Sequence, residues 1–162
     1  MSVELVMEDA RWKTLDLLQI ANTAFNATLS QLYMKSENFS CCILACSSKK
    51  IKVLNTQFRC QDNSTNVLSF PSTTEIGEVI RISKFEANVD PFELGNIAIA
   101  YEICKKEADV SKKDFEHHVY HLIIHSVLHL LGYDHKEEKN AAEMEKIEVQ
   151  VLAKLGISNP YS

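Results

Sequence analysis

Apolar and polar positions change their period several times along the chain, and each change marks an element. Val3 to Met7 predicts a short strand, with Asp9 after it as the cap of a helix. In that helix Trp12, Leu15, Leu18, Ala21, Phe25, Leu29 and Leu32 recur at three- and four-residue steps. Phe39 to Cys46 is a continuous apolar run of strand length, and Ser47 and Ser48 offer a cap for a short helix running toward Phe58. Val67 to Phe70 reads as a strand ended by Pro71, and Glu75 to Ile82 as a strand or half of a hairpin. Leu94 to Ala100 fits a strand, or the start of a helix that continues through Cys104. Past Ser111 the pattern is helical: Phe115, Val119, Leu122, Ile123, Ser126, Val127 and Leu130 share one side, and Gly132 is placed to end the helix. A last helix is expected from about Lys136 to Leu155, with Ala142, Ile147, Val149, Leu152 and Leu155 among many charges. Early strands and late helices predict an α+β fold, a mixed β-sheet with helices packed on one face.

Composition narrows the class. At 162 residues the chain is one domain over its whole length, 1–162, with no repeat or linker. Its 46% hydrophobic content is too high for disorder, and no apolar run reaches the roughly 18 residues that span a bilayer. No membrane role is expected. The start MSVELVMEDARW carries three acids before its first base, so a signal peptide is not expected and a cytoplasmic location is. Five cysteines without paired spacing fit reduced thiols: Cys41, Cys42 and Cys46 in a buried strand, and Cys60 as the one thiol near Arg59. A net charge of −5 argues against a uniformly basic nucleic-acid coat but leaves room for a local basic groove.

All six histidines fall between positions 117 and 135, which raises a metal site before any other chemistry. His117, His121, His125 and His129 repeat every fourth residue. On a helix each lies about 40° round from the last, with Cβ atoms roughly 6 Å apart. Gly132 then breaks the helix, and Tyr133 and Asp134 turn the chain so that His135 returns toward His125 and His129. Three imidazoles at about 2.0 Å leave a tetrahedral zinc ion one open position, the arrangement of catalytic sites. H-x-x-x-H-x-x-G-x-x-H is also the metzincin peptidase spacing, but those enzymes carry a glutamate where this chain has Ser126. A hydroxyl is a poor general base, and a carboxylate placed at 126 is expected to sit beside the metal and repel phosphate. His117 and His118 are expected at the surface. His121 is expected to be a packing residue rather than a partner behind the ligands.

The segment His125 to His135 resembles the signature of the YbeY family of bacterial endoribonucleases, H-G-x-L-H-L-x-G-Y-D-H, departing from it at Ser126. A second block, from Leu54-Asn55 through Phe58-Arg59 and Asp62 to Thr65-Asn66-Val67-Leu68-Ser69-Phe70-Pro71, resembles the family's L-N-x-x-[YF]-R-x-x-D-x-x-T-D-V-L-S-F-P, with Asn66 for aspartate. Leu94-Gly95-Asn96-Ile97 is similar to L-G-D-I, again with an amide for the acid. The resemblance runs from about Leu54 to Leu155. It implies a single-domain α+β fold with one zinc ion (or another divalent ion) on His125, His129 and His135 at the end of a long helix. It also implies cleavage of single-stranded ribosomal RNA, 16S 3′-end maturation and ribosome quality control on the small subunit. No DNA substrate is expected. Beside the histidines it singles out Arg59, with His125, as catalytic.

Phosphodiester cleavage builds charge on phosphate oxygens, which a guanidinium meets as a rigid, always-charged double donor. The simpler reading pairs Arg59 with Asp62. Asn66 and Asn96 are expected to hold positional roles, since each amide keeps one acceptor. Asp134 either orients a ligand ring or caps the turn. The lysines at 49, 50, 52, 105, 106, 112 and 113, with Arg81 and Lys84, are expected on solvated faces. So is the acidic run Glu137, Glu138, Glu143, Glu145 and Glu148. Two other functions compete: a metal-dependent hydrolase of another substrate such as peptide, and a ribosome assembly factor with a structural metal.

Overall fold

A computed structural model describes residues 2–72 and 91–162. Its elements are β1 (Val3–Met7), a 3₁₀ turn (Ala10–Thr14), α1 (Leu17–Gln31), β2 (Phe39–Cys46), α2 (Ser48–Arg59), β3 (Val67–Pro71), β4 (Phe92–Ala100), α3 (Tyr101–Val110), α4 (Phe115–Leu130) and α5 (Glu138–Lys154). The strand or hairpin expected at Glu75 to Ile82 lies outside the described residues, as do Arg81 and Lys84. Leu94 to Ala100 is strand, and the helix begins only at Tyr101.

The first helix differs from its pattern. Asp9 caps only the 3₁₀ turn, Leu15 is extended, and Asp16 starts α1 by accepting a hydrogen bond from the Gln19 amide. The break lets Trp12 turn inward, fully buried, where its ring stacks on Phe115 and its Nε1–H donates to the Cys46 carbonyl at 3.0 Å. Ser47 caps α2 through the Lys50 amide.

The sheet order is β1-β2-β4-β3, parallel across the first three strands and antiparallel at the β3 edge. This is the mixed sheet expected. Helices α1, α4 and α5 pack together on one face around Phe25, Ile43, Ile97, Ile99, Ile123 and Val127. Helix α2 lies on the other face, over a smaller cluster of Cys46, Ile51, Leu68, Ala98 and Ala100. The helices are therefore divided between the two faces, with the larger share on one. Gly95 makes the β3–β4 junction possible: a Cβ there would stand 2.2 Å from the Phe70 carbonyl oxygen, at φ +142°.

Candidate metal centre

Helix α4 is apolar on the side that meets the sheet and α1, and carries its histidines along the opposite stripe. Asp114 starts it, Oδ1 accepting from the His117 amide at 3.0 Å. Its end is a Schellman turn. The Gly132 amide donates to the His129 carbonyl at 3.0 Å and the Tyr133 amide to the Leu128 carbonyl at 3.1 Å, with Gly132 at φ +96°. That left-handed step sends the chain back over the helix and brings His135 beside His129, ring centroids 5.0 Å apart.

One nitrogen from each of His125, His129 and His135 lies within 4.8 Å of the other two. Two of the rings have their orientation fixed from behind. His125 Nδ1–H donates to Glu148 Oε1 at 3.1 Å, and His129 Nδ1–H donates to the Tyr133 carbonyl at 2.9 Å. Both acceptors lack protons, so Nδ1 is the donor in each ring and Nε2 is the nitrogen turned toward the metal position. Those two Nε2 atoms are 3.0 Å apart. Two lone pairs facing at that distance repel unless a positive centre lies between them. Tetrahedral zinc would set the nitrogens about 3.3 Å apart. The donor set fits a divalent ion.

Burial, followed by the neighbouring rings of His125 and His135, lowers the His129 pKa to about 4, so its ring is neutral and able to bind a metal near neutral pH.

The residue most underestimated by sequence reasoning is Glu148. Expected on a solvated face, it is completely buried, because α5 turns it inward toward α4. His121 Nε2–H donates to Oε1 at 2.9 Å, and the Tyr161 hydroxyl lies 2.9 Å from both oxygens. Burial alone would raise its pKa, but the hydrogen bonds from His121 and His125 outweigh it and hold the carboxyl down at about 2. His121 therefore belongs to the support behind the ligands rather than to packing alone. One signal was available: Glu148 lies on the same side of α5 as Met144, Val151 and Leu152, all buried.

A groove of about 1110 Å³ runs past the three histidines and is also lined by Arg59, Asn66, Ser69, Glu107 and Tyr161. Arg59 does not pair with Asp62. It reaches round the open edge of β3 and donates through Nη2 to the Ser69 carbonyl, while Lys52 stands 3.9 Å from Asp62. Asn66 Nδ2 donates to Glu107 at 3.1 Å, and the same carboxylate lies 3.0 Å from His118 Nε2. His118, expected at the surface, is thus half-buried in the groove wall; burial is the main cause of its lowered pKa. His117 is exposed.

Residues 4–156 match the family described as Endoribonuclease YbeY. The chain belongs to that family. An Endoribonuclease YbeY of Jannaschia sp. (strain CCS1) is 39% identical over 165 residues, spanning 99% of this chain and 100% of the relative. One from Cereibacter sphaeroides is 43% identical over 163 residues, or 98% of each. A Thermotoga maritima protein solved in solution shares the fold, with a TM-score of 0.57 at 23% identity over 99% of both chains. Membership of the YbeY family supports an endoribonuclease role for the chain, and its substrate class is then RNA. Among the described residues no helix is long and apolar enough to cross a membrane.

The departures from the YbeY motif occupy different surroundings. Asn66 lies in the groove. Asn96 is exposed and alternates with Ala98 and Ala100 onto the α2 side of β4. Ser126 is fully buried, and among the described residues its hydroxyl has no hydrogen-bond partner. A carboxylate at 126 would enter the core and not stand beside the metal, which corrects the expectation of direct repulsion. Asp134 Oδ1 accepts from the Lys136 amide at 3.3 Å, the turn-capping alternative, with no bond to a ligand ring among the described residues. Cys60 ends α2 in a left-handed conformation, φ 54°, with an exposed thiol outside the groove lining.

Proposed function

We propose that the chain is a zinc-dependent endoribonuclease that cuts single-stranded RNA, with His125, His129 and His135 as ligands and Arg59 as the phosphate-binding catalytic residue. The observation that carries this reading is the convergence of three imidazole nitrogens, two with lone pairs turned inward, in a groove that Arg59 also enters. Bound zinc, or another divalent ion, would polarise a phosphate oxygen and lower the pKa of a coordinated water toward about 7. The protein's own contribution is positional. Glu148 and the Tyr133 carbonyl fix the His125 and His129 rings so that each would offer Nε2 to the ion. Arg59 donates to Ser69, and among the described residues the rest of its guanidinium is left for phosphate oxygens as charge develops on them. Ser126, buried in the core, offers the groove no general base, which favours a nuclease over a peptidase.

Maturation of the 16S ribosomal RNA 3′ end, ribosome quality control and action at the small subunit in the cytoplasm are the cellular roles proposed from the family resemblance. The decisive assay compares a single-stranded RNA, its duplex and casein as substrates for zinc-loaded protein. Cleavage of the single strand alone is expected; digestion of casein with RNA left intact would overturn the reading.

A further inference from the structure

Phe58 sits where a core residue would be expected but is left outside the core. On α2 it continues the face of Ile51 and Asn55, both buried against the sheet. Phe58, in the last turn of α2, nevertheless keeps 62% of its surface exposed. Its ring meets Phe70 edge-to-face, centroids 5.7 Å apart at 68°. The Arg59 guanidinium lies 5.4 Å from the Phe70 centroid while lining the histidine groove. The helix that carries Phe58 is also basic along its length. In a chain of net charge −5, α2 carries Lys49, Lys50, Lys52 and Arg59 and no acid. The contacts of Lys50 with Glu8 and of Lys52 with Asp62 are both 3.9 Å and solvent-exposed, too weak to cancel this field.

We infer that Phe58, backed by Phe70 and flanked by Arg59, is a stacking platform for an unpaired nucleobase of the RNA substrate, on the α2 face of the sheet and joined to the histidine groove by Arg59. The inference rests on the endoribonuclease reading and adds a binding subsite to it. Every base has an apolar face, and stacking on an exposed aromatic ring binds single strands without regard to sequence. Arg59 beside the pair supplies a cation for a phosphate of the same strand. A base already stacked within a duplex cannot reach the ring, so the platform also supplies a physical source of single-strand preference.

The test measures binding, separately from catalysis. Fluorescence anisotropy gives Kd for a short labelled oligoadenylate RNA and for the same backbone made abasic, using wild type and the variants F58A, F58L and F58W. F58A and F58L are expected to weaken oligoadenylate binding about tenfold, the loss of one stacked base, with abasic binding unchanged and F58W close to wild type. Unchanged oligoadenylate affinity in F58A overturns the platform. So does F58L binding as wild type does, since a merely apolar patch of the kind a protein partner would use needs no aromatic ring. Should F58A fail to fold, wild type alone decides: equal affinity for intact and abasic strands refutes stacking. Parallel cleavage assays separate the two readings. RNA cutting with no effect of F58A removes only the platform, and stacking without any cutting by wild type removes only the nuclease reading.

Discussion

Glu148 lies completely buried with its carboxylate 3.1 Å from Nδ1 of His125, a hydrogen bond that joins α5 to the rear of the three-histidine group at the end of α4. The carboxylate fixes which nitrogen carries the proton and so which one is free to bind a metal. Carboxylate–histidine–metal arrangements of this kind commonly contribute a factor of 10–100 in metal affinity. Glu148→Gln should therefore lower zinc affinity by about that factor, measured by competition with a chromophoric chelator. An unchanged affinity would mean that the His125 ring is oriented without the carboxylate.

Arg59→Ala should leave folding and zinc content near wild type, because among the described residues the guanidinium makes one hydrogen bond, to the Ser69 carbonyl, and no ion pair with Asp62. RNA cleavage should fall on the order of 10²-fold or more, the cost of one charge-assisted contact to the transition state. Full activity in this variant would assign Arg59 to bracing the β3 edge.

Acid should destabilise the metal-free protein in two stages. His129, with an ordinary value of 6.5, stays neutral in the fold down to about 4. Between those values the unfolded chain binds more protons, so stability falls as pH drops through that window. Glu148 contributes fully above its ordinary 4.5, and that contribution is lost as pH falls toward about 2. Urea midpoints at successive pH values follow this directly. A midpoint that stays flat as the pH falls from 6.5 to 4 would contradict the assignment of His129 as a buried neutral ring.

Ser126→Ala should stabilise the fold. The hydroxyl is buried without a partner among the described residues, and alanine is the better helix former by about 0.5 kcal/mol. With the unpaired hydroxyl removed, the gain should approach roughly 1 kcal/mol, read as a higher melting temperature. Ser126→Glu should instead unfold or severely destabilise the protein, since it buries an unpaired carboxylate. A well-folded Glu variant with impaired RNA binding would return position 126 to the groove.

The convergence of the three histidines was legible in the sequence because it is local. Spacings of four residues and a helix-ending glycine determine the geometry of His125, His129 and His135 without any long-range packing. Glu148 was not legible because its neighbours are remote in sequence. It became a partner of His125 only when α5 folded back on α4, and along the chain it looked like one more acid among several. The surroundings of Asn96 were hidden for a similar reason: its motif named the residue, but only the β2–β4 register places it beside Cys42 on the α2 face. The break at Leu15 was hidden by a continuous apolar stripe, whose first turn departs from α-helix so that Trp12 can bond to Cys46.

The central claim is that one metal ion on the three histidines is required for RNA cleavage. It is tested most directly by stripping the protein with a chelator, returning zinc stepwise, and following cleavage of a labelled single-stranded RNA against zinc bound per chain. Activity should vanish on stripping and return in proportion to occupancy, reaching its plateau at one zinc, while His129→Ala neither retains zinc nor recovers. Cleavage at the full rate by stripped wild type, with no metal bound, would contradict the account.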